Sequence, residues 1–130
     1  MTNDRIKDFL TKYGYTFLEM EDSLNVKLGF ALHAEINFSA DGRILVKNRL
    51  GGWNFLTGML EMNLSQALLY NFAGIVFISA LFLLLLRDTN FFYLLLAYLF
   101  ILSWVIFWGI FYHHIFEHFK TRIMLGDRTD

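Results

Sequence analysis

Two long apolar runs fill most of the second half of the chain. Ala67 to Leu86 is twenty residues without a charged side chain, and Phe91 to Tyr112 is twenty-two more. Only Arg87-Asp88-Thr89-Asn90 separates them. Each run matches the roughly 20 residues that a helix needs to cross about 30 Å of hydrocarbon at about 1.5 Å per residue. The pattern therefore predicts a hairpin of two transmembrane helices, over residues 66–87 and 90–118.

The first fifty residues carry shorter periodic patterns, which are typical of a small folded domain. Over residues 5–13, apolar side chains recur three and four positions apart, so we predict an amphipathic helix that Gly14 ends. Three stretches alternate apolar and polar residues and predict strands: Tyr15 to Glu21, Val26 to Phe38 and Arg43 to Leu50. We therefore expect residues 1–50 to form a head with one helix and a three-stranded antiparallel sheet.

The middle stretch gives the clearest strand pattern. Every even position from Val26 to Phe38 is apolar, whereas the odd positions are mostly polar or small. This predicts one strand of thirteen residues with a buried face, which Gly29 bends or bulges. His33 falls on the polar face and is expected at the surface. In the last strand, Ile44 and Val46 are expected to point inward.

Residues 51–65 connect the head to the first apolar run. Polar residues recur there at helical spacing among apolar ones, and they are Asn54, Thr57, Gly58, Glu61 and Ser65. The spacing predicts an amphipathic helix in the headgroup region of a membrane, anchored at the interface by Trp53, Phe55 and Met59. The alternative is that this helix packs against the sheet as ordinary core. The interfacial helix is favoured because Asn63 and Ser65 could cap a separate membrane helix.

Composition and charge narrow the class of protein. The formal net charge of -1 argues against a nucleic-acid partner, and the absence of cysteine excludes disulfides and thiolate metal sites. Basic residues flank the two runs on the side of the termini, at Lys47, Arg49, Lys120, Arg122 and Arg128, whereas Arg87 stands alone in the connection. By the positive-inside rule, both termini and a tail of residues 119–130 are expected in the cytoplasm. Together the patterns predict an α+β membrane protein of the inner (plasma) membrane.

The apolar runs contain few polar side chains, namely Asn71, Ser79 and Ser103 besides tyrosines. Neither run contains Asp, Glu, Lys, Arg or His, which argues against a stand-alone transporter. Asn71 is a candidate for a hydrogen bond to a neighbouring helix.

The second run carries an aromatic stripe at three- and four-residue spacing, formed by Phe100, Trp104, Phe107, Trp108 and Phe111. Packing against a partner's helices and plain contact with lipid or the first helix explain this stripe equally well.

A histidine-rich cluster follows the second run. His113 and Glu117 are four residues apart, as are His114 and His118, so each pair shares a helix face. The spacing of His114, Glu117 and His118 also resembles the inverted zincin motif His-x-x-Glu-His, but a zincin needs a third ligand well downstream and only twelve residues follow His118. A metal site here would need ligands shared between chains. Otherwise the histidines simply complement the dipole at a helix C-terminus.

These patterns favour a non-enzymatic membrane protein that is an accessory, scaffolding or regulatory subunit of a larger inner-membrane assembly and carries no cofactor. The head would bind a cytosolic segment of a protein partner, and the hairpin would pack in the lipid bilayer beside the partner's helices. Two alternatives stay open. One is a metal-binding membrane protein or enzyme that uses the histidine cluster. The other is a membrane-surface or lipid-sensing homo-oligomer in which residues 53–65 insert.

Overall fold

The fold consists of a small α+β head and two long helices. It is given by a computed structural model that describes residues 3–85 and 91–126. In chain order the elements are α1 (Asn3–Lys12), β1 (Thr16–Glu19), β2 (Ser23–Gly29), β3 (Leu32–Phe38), β4 (Ile44–Leu50), α2 (Leu64–Leu85) and α3 (Phe91–Gly126). The strands form one antiparallel meander in the order β1-β2-β3-β4. The predicted connection at residues 87–90 and Arg128 of the predicted tail lie outside the described residues.

The sheet has four strands, and the prediction of three is wrong. The stretch from Val26 to Phe38 reverses direction at Phe30 and Ala31, whose φ angles are 52° and 66°. A bulge between Lys27 and Gly29 adds one residue to β2, so that Val26 faces Ala34 across the pair. Because cross-strand partners share a face, this register keeps even-numbered residues on the inner side in both strands. The alternation of apolar and polar residues therefore continues through the turn, so the sequence pattern does not reveal the turn. The predicted bulge is present.

Helix α1 ends where the sequence predicts. Gly14 has a φ of 72°, which favours glycine. The Tyr15 N–H donates to the Leu10 carbonyl at 2.9 Å, and the Gly14 N–H donates to the Thr11 carbonyl at 3.1 Å. This is a Schellman arrangement, which satisfies the last carbonyls of the helix and turns the chain into β1.

The hydrophobic core of the head includes the second half of α3. Four buried side chains of α3 lie on one helix face: Tyr112, Phe116, Phe119 and Ile123. They join a cluster from α1 and the sheet that contains Ile6, Leu10, Leu24, Val26, Leu32, Ala34, Ile36, Val46 and Leu50, with Ile44 packed against it. The inward positions predicted for β4 are thus confirmed. The helix does not end at His118, and the first part of the predicted tail is a core helix.

Residues 51–63 do not form the predicted amphipathic helix. They make a loop closed by two isolated bridges, Leu50 with Met62 and Asn54 with Gly58. Gly52 and Gly58 have φ angles of 74° and 66°, which are incompatible with a right-handed helix. Two of the polar residues whose spacing predicts a helix, Asn54 and Thr57, instead bond the loop's own backbone through their side chains. We call residues 51–63 the junction loop.

Helices α2 and α3 pack antiparallel. Leu68 lies against Gly109, where a Cβ would come within 2.9 Å of Leu68 Cδ2, and the Ser79 hydroxyl lies 2.7 Å from that of Tyr98. Both helices are long and apolar enough to cross a membrane. Within the most apolar eighteen residues of each, 0% of α2 and 6% of α3 is buried. Their apolar surfaces therefore face outward and are not covered by the head.

Candidate functional site

The junction loop is organised around one buried side chain, Asn54. Its Oδ1 accepts hydrogen bonds from the Leu56 and Thr57 amides at 3.0 and 2.8 Å. Its Nδ2 donates to Thr57 Oγ1 at 2.9 Å and to the Gly58 carbonyl at 3.1 Å. Asn54 therefore supplies the hydrogen bonds that a helix would have made within its own backbone.

Part of the aromatic stripe of α3 holds this loop. The Trp108 ring stacks on Phe55 with a centroid distance of 3.9 Å and an interplanar angle of 6°. Trp104 Nε1 donates to the Phe55 carbonyl at 2.9 Å. The Phe111 ring meets Phe30 of the β2–β3 turn edge-on at 5.3 Å. Three of the five stripe residues proposed for packing against a partner thus contact the junction loop or the β2–β3 turn of the same chain.

The other two stripe residues, Phe100 and Phe107, are exposed. Phe100 tilts against Trp104 at 6.0 Å and Phe107 stacks on Phe111 at 6.0 Å, so both contact only their own helix in these ring pairs. They are the stripe residues whose outer faces stay available for lipid or a partner's helix.

Tyr112 ties three elements together. Its buried hydroxyl donates to the Phe30 carbonyl at 2.8 Å and accepts from the Phe55 amide at 3.3 Å. The β2–β3 turn, the junction loop and α3 therefore meet at one oxygen. The sequence shows a tyrosine at the end of an apolar run, but nothing in its spacing indicates which backbone groups it binds.

Asn71 of α2 binds the junction loop and not the second helix. Its Nδ2 donates to the Leu56 carbonyl at 2.9 Å and to the Ala67 carbonyl of its own helix at 2.8 Å. Both amide hydrogens are used in this way.

Of the predicted interface anchors, Phe55 is partly buried by the stripe, whereas Trp53 and Met59 are exposed.

Helix α2 begins on the sheet. Asn63 Oδ1 accepts from the Gln66 amide at 2.8 Å, and Gln66 Oε1 accepts from the Asn63 amide at 3.3 Å. This reciprocal pair is a capping box, which confirms the predicted cap at Asn63. Asn48 of β4 adds a second cap, because its Oδ1 accepts from the Leu64 amide at 2.8 Å. No pattern in the sequence indicates the Asn48 contact, which joins residues sixteen positions apart.

β4 is an edge strand with unused backbone groups. The Ser39 amide donates to the Arg43 carbonyl, so the odd-numbered residues of β4 direct their backbone groups at β3. Even-numbered residues point the other way, as Leu50 shows by its two hydrogen bonds with Met62, at 2.8 and 3.3 Å. In the part of the chain that the structure describes, the outward N–H and C=O groups of Ile44, Val46 and Asn48 have no backbone partner.

A groove of about 680 Å³ lies beside this free edge, between β4, the start of α2 and the second half of α3. Val46, Met62 and Phe116 supply apolar lining. Six charged residues surround it: Glu35, Glu61, Glu117, Lys47, Arg49 and Lys120. Arg49 and Glu61 pair with each other at 2.9 Å. Three acids and three bases leave the groove without a formal net charge.

The histidine cluster is divided among different sides of α3. His114 and His118 lie together beside Tyr15 and Leu28, with ring centroids 6.2 Å apart. His113 instead lines an apolar groove with Leu68, and Glu117 faces the β4 groove. Over residues 3–85 and 91–126, no group of three or more potential ligands could hold a metal ion. The pair His114 and His118 would need further ligands from a second chain.

His33 is only partly exposed, although it lies on the outer face of the sheet. Its neighbours across the strands are Lys27 and Arg49. Burial lowers the pKa of His33, the two cations lower it further, and Glu61 opposes them. Its Nδ1 is buried and has no hydrogen-bond partner among the described residues.

Comparison with known proteins found no matching family model, no matching curated protein and no matching solved structure.

Proposed function

We propose that this chain is a small two-pass membrane protein that serves as an accessory or scaffolding subunit, without catalytic activity of its own. Two long helices with outward apolar surfaces support membrane insertion. The antiparallel packing of α2 and α3 places the head and the end of α3 on the same side. The basic residues Lys47, Arg49, Lys120 and Arg122 lie on that side, which favours a cytoplasmic head at the inner membrane.

The free edge of β4 is the single observation on which the proposed binding of a protein partner rests. At two-residue intervals, Ile44, Val46 and Asn48 direct N–H and C=O groups away from β3, and these groups have no backbone partner among the described residues. An extended segment of another protein can pair with such an edge as an added strand. Because the groove adjoins the start of α2, the occupant we propose is an extended segment next to a transmembrane helix of the partner.

The walls of the groove specify the side chains of that segment. Residues on the inner side of the added strand would meet Val46 and Phe116, which favours apolar side chains. Residues on its outer side would meet Lys47, Glu35 and the Arg49–Glu61 pair, which favours polar side chains of either sign. The partner segment should therefore alternate apolar and polar residues.

Site-specific photo-crosslinking in native membranes tests this proposal. A photoreactive residue in place of Lys47 should give an adduct with a second membrane protein, whereas one in place of Lys27, which is exposed on β2 away from the edge, should not. The adduct peptide should come from an alternating segment beside a transmembrane helix. No adduct at Lys47, or equal adducts at both sites, contradicts the proposal, and an adduct with a second copy identifies a homo-oligomer instead.

A proline variant separates edge pairing from general proximity. Ile44→Pro removes one outward N–H at the first residue of an edge strand, where proline is tolerated. It should lower the yield of the Lys47 adduct severalfold. Ile44→Val shortens the same side chain but keeps the N–H, so its adduct yield should match that of the unaltered chain. Equal yields from both variants would show that pairing along β4 does not occur.

A further inference from the structure

We propose that the junction loop enters the apolar layer of the membrane as a re-entrant element and exposes a lipid-binding surface there. This inference rests on the proposed membrane insertion of α2 and α3. It assigns residues 51–63 a third membrane contact, in addition to the two helices. The occupant of the exposed loop surface is lipid.

Hydrogen bonds fix the depth of the loop along the helices. The Leu56 carbonyl is bound by Asn71, and the Phe55 carbonyl by Trp104. The twenty residues that end at Leu85 begin at Gln66, so Asn71 lies about 7 Å inside a hydrocarbon span at about 1.5 Å per residue. The tip of the loop therefore lies beside the transmembrane part of α2, below the level at which the helix begins.

The loop has the composition that this position requires. No charged residue occurs from Leu50 to Leu60. The first charges on either side are Arg49 and Glu61, which pair with each other at 2.9 Å at the base of the loop. Glu61 thus keeps its partner at the level of the head, and the uncharged segment lies beyond the pair.

Irregular backbone survives within hydrocarbon only where protein groups satisfy its N–H and C=O groups. Side chains of the loop itself and of both helices do so here. Asn54 binds the loop from within, and Asn71, Trp104 and Tyr112 bind it from the two helices. This also gives a physical reason for Asn71, which is the one amide side chain in the first apolar run.

From Trp53 to Leu60, the exposed side chains of the loop are apolar. Trp53 is 59% exposed, Met59 74% and Leu60 48%, and Phe30 of the adjacent turn is 56% exposed. On a loop surrounded by water these would form a costly apolar patch. Beside two helices whose own outer surfaces are apolar, the same residues continue one lipid-facing surface, with Trp53 suited to the interface.

Spin-label accessibility in phospholipid vesicles tests the inference. Because the chain has no cysteine, Met59→Cys, Leu69→Cys and Asp41→Cys each give a single labelled site in the full chain. Leu69 is an exposed position on α2, and Asp41 lies in the exposed β3–β4 turn. The ratio of collisions with oxygen to collisions with a water-soluble nickel complex should be severalfold higher at Met59 than at Asp41 and should match Leu69.

The possible outcomes separate this inference from the proposed function. If Leu69 is shielded from nickel but Met59 resembles Asp41, the loop lies in water and the inference alone fails. If Met59 is shielded from both oxygen and nickel, protein covers it, and lipid contact is also excluded. If Leu69 itself resembles Asp41, the helices are not inserted and both proposals fail.

Discussion

The two halves of α3 form one continuous helix with opposite relations to their surroundings. Phe107 in the first half is 60% exposed, whereas Phe119 in the second is 1% exposed. Apolar residues surround the first half on every side, but in the second half they occupy one stripe and alternate with Glu117, Lys120 and Arg122. The first pattern suits an apolar solvent and the second suits a helix half in water. Under the proposed membrane insertion, the chain changes environment within a helix, not at its end.

The boundary lies at Tyr112, the first buried core residue of α3 to reach the head by a side-chain hydrogen bond. α3 has 36 residues, which is about 54 Å at about 1.5 Å per residue, and a membrane would account for about 30 Å of it. The remainder is the core helix of the head. Because α3 runs without a break from the hairpin into the core of the head, the proposed membrane insertion would hold a partner bound at β4 at a fixed height above the membrane.

The largest expected effect comes from truncating a core residue in the second half. Phe119→Ala should destabilise the head by about 3–5 kcal/mol, because it leaves a cavity among buried side chains. Phe107→Ala removes an equal ring from the exposed half and should change stability by less than about 0.5 kcal/mol. Urea titration in mild detergent, followed by tryptophan fluorescence, measures both. Similar losses in the two variants would contradict the division of α3.

A smaller effect tests the boundary itself. Tyr112→Phe should cost about 1–3 kcal/mol, because the Phe30 carbonyl and the Phe55 amide lose their hydroxyl partner in a buried site. Tyr93→Phe removes the hydroxyl of an exposed tyrosine near the start of α3 and serves as the matched control. The same urea titration applies. If Tyr112→Phe is as stable as the control, the hydroxyl does not join head and helix.

A still smaller effect on stability is expected where α2 packs against the first half of α3. Ser79→Ala removes the hydrogen bond between α2 and Tyr98, which should cost about 0.6 kcal/mol, a typical value for such bonds between membrane helices. Ser103→Ala is the control, because the Ser103 hydroxyl donates to the Leu99 carbonyl of its own helix and bonds no residue of α2 that the structure describes. Titration with a denaturing detergent measures the helix pair. Indistinguishable midpoints for the two variants would show that Ser79 contributes nothing to the pairing of α2 and α3.

The sequence correctly predicts those parts of the fold that depend on interactions between residues close together in the chain. The apolar length of α2 and α3, the end of α1 at Gly14 and the cap at Asn63 all follow from neighbouring residues. The β2–β3 turn was missed because a bulge preserved the alternation across it. Polar residues of the junction loop recur at the spacing of a helix face, which predicts a helix. In the structure, Asn54 instead binds backbone groups of its own loop. The site residues Asn48 and Tyr112 act on distant backbone groups, which no local pattern reveals.

Acid should weaken the half of α3 that depends on the sheet and spare the other half. Burial and the nearby Lys27 and Arg49 lower the pKa of His33 below its ordinary value of 6.5. Because the unfolded chain then binds a proton that the folded head resists, the contribution to stability is complete above pH 6.5 and is lost as the pH falls from 6.5 toward the lowered value. The melting temperature of the head should therefore drop between pH 7.5 and pH 5 by less in His33→Gln than in the unaltered chain. Equal pH dependence in the two proteins would show that His33 has no part in it.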